Sequence, residues 1–190
     1  MDARKRATYQ DLLAVPDHLV AEIIDGTLYT SPRPARPHAR ASSKLMFRIG
    51  PPWDLGEGGP GGWDLFNEPE LHLGSDVVVP DIAGWRRGRL TPEETVYFTT
   101  VPDWACEILS PSTENRDRIQ KLHLYGERGV QWVWLVHPIH RYIEVFERTD
   151  AGMVVRQAVE HGGSVALMPF DAVPFELSDL WEDEPPTSPG

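Results

Sequence analysis

Two apolar runs with an amphipathic stretch between them dominate the middle of the chain. Trp104-Ala105-Cys106-Glu107-Ile108-Leu109 reads as a strand, and because side chains alternate along it, Glu107 shares a face with Ala105 and Leu109. A charge on such a face is costly unless something pairs with it. Ser112 to Arg128 reads as a helix: Ser112 or Thr113 can cap it, Glu114 and Asp117 stand early, Arg128 stands late, and Gly129 ends it. Val130 to Val136 is almost unbroken in its apolar character and carries two tryptophans, as expected of a strand buried on both faces. A helix joining these two strands implies a right-handed parallel crossover.

The flanks carry weaker but consistent patterns. Tyr9 to Val15 predicts a short helix stopped by Pro16, followed by a strand over Leu19 to Ile24 and a hairpin return through Asp25-Gly26 to Thr30. From His38, the positions Ala39, Ser42, Leu45, Met46 and Ile49 have helical spacing. Gly50 to Gly62 holds six glycines and three prolines in thirteen residues and predicts a mobile loop without regular structure. Trp63 to Phe66, Glu70 to Leu73 and Asp76 to Val79 predict strands of one antiparallel sheet, with Ile82 to Trp85 continuing the last. Thr91-Pro92-Glu93-Glu94 suggests one helical turn. Tyr142 to Arg148, Met153 to Val159 and Ser164 to Leu167 predict strands extending the sheet on one side, Phe175 to Trp181 a final helical turn, and Pro185 to Gly190 a disordered end. The expected class is α/β: a mixed sheet flanked by helices with additional antiparallel strands, as a single domain over residues 1 to 182 with an acidic, proline-rich tail over 183 to 190.

Length and composition agree with one domain of ordinary hydrophobicity, 41% of 190 residues. The start, Met1-Asp2-Ala3-Arg4-Lys5-Arg6, lacks the apolar segment of a signal peptide, and no run of about 18 or more apolar residues is present. The expectation is a cytoplasmic protein with no membrane partner. A lone cysteine, Cys106, excludes a disulfide framework. Net charge is −11, which by itself argues against nucleic acid. Six of the 29 acids fall in residues 171 to 190, where there is no Lys or Arg. Between Ser31 and Arg48, in contrast, Arg33, Arg36, Arg40, Lys44 and Arg48 occur with no acid. Arg40, Lys44 and Arg48 recur every four residues on one helix face, suited either to phosphate contacts or to plain solvation.

Candidate chemistry gathers at three places. Val77-Val78-Val79-Pro80-Asp81 reads as a strand that stops at a proline and delivers a carboxylate at its rim, since proline cannot donate to a sheet ladder. Glu107 is the second carboxylate, and Lys121 lies beside the apolar positions Leu122 and Tyr125 of the following helix. Two carboxylates and an ammonium are thus positioned to converge, with a divalent cation as one way to neutralise Glu107. Arg118 lies close to the same helix face, so geometry alone leaves it in competition with Lys121. Other chemistries have less support. His137 and His140 lack a Cys partner or an H-E-x-x-H pattern and read as turn residues. Ser110 and Ser112 do not sit in G-x-S-x-G.

The order of a strand-end Pro-Asp, a Glu on a following apolar strand and then a Lys resembles the PD-(D/E)XK nuclease superfamily. Residues 9 to 147 resemble one branch of it, the Uma-two family of endonucleases with a restriction-endonuclease-like fold. The matching pieces are Ala21 to Leu28, Ser31-Pro32, His38, Val79-Pro80-Asp81, Glu107 to Thr113, Asp117, Lys121, Tyr125 and Gly129 to Trp134. The resemblance implies a nuclease acting on nucleic acid, DNA foremost, with Mg²⁺ or Mn²⁺ bound by Asp81, Glu107 and the Ile108 carbonyl. It decides for Lys121 over Arg118 as the lysine that polarises the attacking water, and it adds Glu22 as a fourth site member. Arg36, His38, Arg40 and Lys44 are the expected nucleic-acid contacts. Two departures stand out: the third position of the superfamily's E-x-K is Leu109, and His137 replaces an acidic residue usual in the branch. A nuclease-fold module that binds nucleic acid or a protein without cutting is the alternative, and oligomeric state is left open, a homodimer included. Replacing Lys121 by Met is expected to spare folding and lower cleavage.

Overall fold

In the computed structural model, which describes residues 6–92 and 96–181, the chain builds two sheets and a short ribbon. Its first third holds α1 (Tyr9–Leu13), β1 (Leu19–Ile24), β2 (Thr27–Pro32) and α2 (Arg36–Ile49). Four short strands follow, β3 (Trp63–Asn67), β4 (Leu71–Leu73), β5 (Asp76–Val78) and β6 (Ile82–Arg86). Then come β7 (Trp104–Ile108), α3 (Leu122–Arg128), β8 (Trp132–His137), β9 (Tyr142–Thr149) and β10 (Gly152–Glu160), and the small strands β11 (Ser164–Val165) and β12 (Phe175–Glu176). The turn expected at 91 to 94 lies partly, and the tail over 183 to 190 wholly, outside the described residues.

Local chemistry accounts for the starts and turns. Thr8 and Asp11 cap each other's main-chain N–H groups at the head of α1. The β1–β2 hairpin turns at Asp25 and Gly26, both with positive φ (51° and 72°), the geometry that favours Asp-Gly there. β1 and β2 join β5 and β4 in an antiparallel sheet of order β2-β1-β5-β4. The larger sheet runs β10-β9-β8-β7-β6-β3, and β7 with β8 is its parallel pair. The α/β expectation therefore holds, with a correction. The single sheet read through Val77 and Trp85 is two sheets, because the chain leaves β5 after Val78, crosses at Val79-Pro80-Asp81 and enters the other sheet at Ile82. Pro80, which has no N–H to pair, marks that crossing.

The larger sheet has an apolar layer on each face. On one side Ala41, Leu45 and Ile49 of α2 pack with Trp104, Trp134, Phe170, Leu177 and Leu180. On the other, α3 and the smaller sheet bring Leu124, Tyr125, Ile24, Leu71 and Val78 against Ala105, Val133 and Leu135. Cys106 is buried on the first side, opposite Glu107. Residues 56–62 have no regular structure, as expected, but the first part of the loop read after α2 is a π-helical turn over Gly50–Leu55. Its prolines occupy first-turn positions where a missing N–H costs nothing, and Trp53 is buried against Phe170 with ring centroids 5.3 Å apart. Gly59 lies so close to Pro52 that a Cβ there would meet it at 2.4 Å. Ser164 and Val165 do not extend the main sheet but pair with β12 as a separate ribbon. Among the described residues no helix is long and apolar enough to cross a membrane.

Candidate active site

β6 and β7 run antiparallel with Ile82 opposite Cys106 and Ala83 opposite Ala105. The ladder stops at the Ile82 and Cys106 pair, and the next residue is Asp81 on one strand end and Glu107 on the other. Two strand ends thus bring two carboxylates to one rim. The Ile108 N–H donates to Asp81 Oδ2 at 2.6 Å, replacing the ladder bond that a strand partner would have supplied. His38, in the first turns of α2, places Nε2 3.1 Å from Asp81 Oδ1. The residue expected to touch nucleic acid is therefore joined first of all to a site carboxylate.

Lys121 reaches the same place from the crossover helix. Its Nζ lies 2.7 Å from Glu107 Oε1 and 2.9 Å from Glu22 Oε1, and it is only 2% exposed. Glu22, on β1 of the smaller sheet, also accepts the Val79 N–H at 3.0 Å. Tyr125 donates its hydroxyl to Glu107 Oε1 at 2.5 Å. The helix that carries Lys121 is not uniform: Arg116–Lys121 is π-helical and passes into α3. In that geometry, bonded i to i+5, residues five apart share a face. Arg116 and Lys121 consequently both grip Glu22, the guanidinium Nη2 at 3.4 Å from Oε2. Arg116 also donates to the Ser31 hydroxyl at 2.7 Å. It carried no sequence signal, because in a regular α-helix position 116 would point well away from 121.

Burial and mutual charge pull the carboxyl groups of the site in different directions. Burial pushes the Glu107 carboxyl well above its ordinary range, and the neighbouring Asp117, Asp81 and Glu22 carboxylates add to this against the relief given by Lys121. Burial also raises the acid Asp117, which lines the same pocket, against the pull of Lys121. Glu22 goes the other way: burial opposes its charge, but Lys121 and Arg116 prevail and hold it below the carboxylate norm. Burial disfavours the Lys121 charge, yet Glu107, Glu22 and Asp117 keep its proton bound more tightly than in a free lysine. The expectation that Lys121→Met would spare folding fails on this geometry, since the change leaves two buried carboxylates without their shared cation.

These residues line one cavity of about 250 Å³, closed by Ser31 to Ala35 on one side and Ser110 to Thr113 on the other. Five acidic and three basic side chains among the described residues line it. Burial draws Glu107 and Asp117 toward their protonated forms, and the donors that the cavity offers a divalent cation are oxygens. No group of three or more His, Cys, Asp or Glu side chains that could hold a metal ion is gathered among the described residues. Arg118 is outside the group, committed to Glu144 at 2.6 Å and the Tyr142 hydroxyl at 2.6 Å. His137 is the last residue of β8, buried, and not the turn residue expected; burial and the nearby His140 lower its proton affinity. In the basic stripe of α2, Arg40 Nε donates to the Trp181 carbonyl at 2.9 Å and Arg48 pairs with Asp179. Arg36 opens the helix and is exposed, and Lys44 is half-buried.

With the geometry in place, the chain can be set beside known proteins. The model of a family described as "Putative restriction endonuclease", Uma2, matches residues 6–180. The chain belongs to this family. Its fold is also that of a crystal structure titled as a "putative nuclease" from Anabaena variabilis ATCC 29413, with a TM-score of 0.67. Identity between the two is 21%, over 91% of this chain and 96% of the other. Among curated proteins there is no match. This Uma2 chain thus has the nuclease-type fold that its strand and helix succession implies, with Asp81, Glu107, Lys121 and Glu22 lining one cavity.

Proposed function

We propose that this Uma2 protein is a metal-dependent endonuclease that hydrolyses phosphodiester bonds of DNA. The observation that carries the reading is Lys121 Nζ at 2.7 Å from Glu107. An ammonium supplied from the crossover helix takes the place that Leu109 leaves empty of charge on β7. Family membership and the neighbouring fold support the nuclease class.

Asp81, Glu107 and the Ile108 carbonyl would hold Mg²⁺ or Mn²⁺. The N–H and C=O of one strand residue point to the same edge, and the Ile108 N–H already faces Asp81. Bound there, the ion would neutralise phosphate charge and acidify a water. The protein's own groups do the positioning. His38 and the Ile108 N–H fix the two oxygens of Asp81, while Tyr125 and Lys121 fix Oε1 of Glu107. Lys121 keeps a full positive charge at the cavity wall, where negative charge on the attacking and leaving oxygens develops. Glu22 and Arg116 hold that lysine in line. Arg36 and Lys44 contribute affinity through phosphates without reading sequence, while Arg40 is engaged by the Trp181 carbonyl.

The test is cleavage by purified protein of single-stranded, double-stranded and branched DNA and of RNA, with Mg²⁺, Mn²⁺ or EDTA. Cleavage of DNA that needs the metal and falls by about 10² or more in Glu107→Gln is the expected result. The sealing of Lys121 between two carboxylates favours a second reading, a fold that binds without cutting. Binding with no cleavage under any metal would establish it.

A further inference from the structure

Beside the reaction cavity lies a second one of about 360 Å³, and His38, Glu68 and Asp81 line both. Its other walls are Ser42, Ser43, Met46 and Phe47 of α2 and Asn67 at the end of β3. Phe47 is 71% exposed, an unusual place for a phenylalanine on a helix whose opposite face supplies Leu45 and Ile49 to the core. Lys44, one turn back on α2, neighbours it on the helix surface.

From this we infer that the second cavity receives the base of an unpaired nucleotide next to the phosphodiester held at Asp81, stacked on Phe47. The inference rests on the nuclease reading and extends it to substrate form. An exposed aromatic ring offers a base a stacking face that tolerates any sequence. The Ser42 and Ser43 hydroxyls and the Asn67 amide offer both donors and acceptors to a base edge. A base inside a duplex presents neither its face nor its pairing edge, so the subsite selects single-stranded or locally opened nucleic acid. The shared wall sets the order: His38 and Asp81 stand between the cavity for the base and the cavity for the phosphate.

The experiment measures affinity in EDTA by fluorescence anisotropy, using an end-labelled oligodeoxynucleotide, the RNA of the same sequence and the fully paired DNA duplex. Wild type is expected to prefer the single strands. Phe47→Ala, a surface change, is expected to weaken single-strand binding about tenfold, the scale of one lost base–aromatic stack, while duplex binding moves less than about twofold. Phe47→Tyr should restore wild-type affinity. The DNA and RNA arms show which sugar the subsite accepts. Equal loss on strand and duplex, or none on either, overturns the inference while leaving the nuclease reading intact. If wild type cleaves DNA but prefers the duplex, the subsite is also refuted. Wild type that binds none of the three probes also refutes the subsite, and the nuclease reading then stands or falls by the metal-dependent cleavage assay.

Discussion

An ammonium sealed between two carboxylates holds the fold together and also stands at the centre of the proposed chemistry, and the two contributions can be separated at single residues. Lys121→Met leaves Glu107 and Glu22 buried without their cation, a change that costs about 3 to 5 kcal/mol when one partner of a buried pair is removed. The expected outcome is a lower denaturation midpoint together with lost cleavage. The double variant Lys121→Met with Glu22→Gln should regain part of the stability but none of the cleavage, because it removes a stranded charge without supplying a new one. Equal stability of the single and double variants would show that Glu22 is not held by Lys121. Asp81 and Glu107 were legible in the sequence for a physical reason, whereas Lys121 was separated from Arg118 only by the family resemblance. A carboxylate after a strand-ending proline and a charge on an apolar strand face each need an explanation that a surface residue does not. Tyr125 and Asp117 stood in the family series, but their contact with the site depends on how far the helix winds. His38 showed its place in the series and not its partner, Asp81.

At the scale of elements, the sequence was clearest where one period ruled a whole segment. β7, the crossover helix and β8 follow directly from alternating and helical apolar spacing. Three features lay beyond that reading. The π-helical Arg116–Lys121 stretch has no compositional mark, and it alone puts residues 116 and 121 on one face. The Gly-rich stretch after α2 is ordered by Trp53, whose burial partner Phe170 lies far along the chain. The division into two sheets turns on Pro80, a single missing donor. The basic face of α2 was legible as a stripe but not in its use. Arg40 and Arg48 tie the final segment down through Trp181 and Asp179, whereas Arg36 and Lys44 make neither of those contacts. The stripe should therefore divide in its effects. Arg40→Ala should cost about 1.5 to 3 kcal/mol, the worth of a hydrogen bond that involves a charged group, and loosen the segment around Trp181 to proteolysis. Arg36→Ala with Lys44→Ala should reduce nucleic-acid affinity and its salt slope. Affinity and slope unchanged in that pair would return both residues to a solvated role.

For the molecule as a whole, the acidic balance of −11 does not oppose a polyanionic partner in the way a uniform surface would. Part of the acid lies in the last twenty residues, where Asp179 is already paired with Arg48, and part is gathered inward at the site. Stability should then depend on pH in a way set by that buried group more than by net charge. Lys121 binds its proton more tightly in the folded protein than the ordinary value of 10.5, and the Tyr125 hydroxyl, raised by burial and by Glu107, does the same above 10.0. As pH climbs past about 10, the unfolded chain sheds these protons while the folded chain keeps them. The folded state then binds more protons, so unfolding becomes easier as pH rises. Below pH 10 this contribution is fully present. Glu22, held below its ordinary 4.5, acts with the opposite sign, and its share is lost as pH falls beneath that value. Urea denaturation from about pH 8 to pH 11.5 should show a midpoint that is level at first and then declines. In Lys121→Met the decline should shrink to the part owed to the other buried groups that hold their protons, Tyr125 and the Cys106 thiol among them. A wild-type decline no steeper than the variant's would mean that Lys121 is solvated in solution, and both the buried pair and its place in the proposed mechanism would fall together.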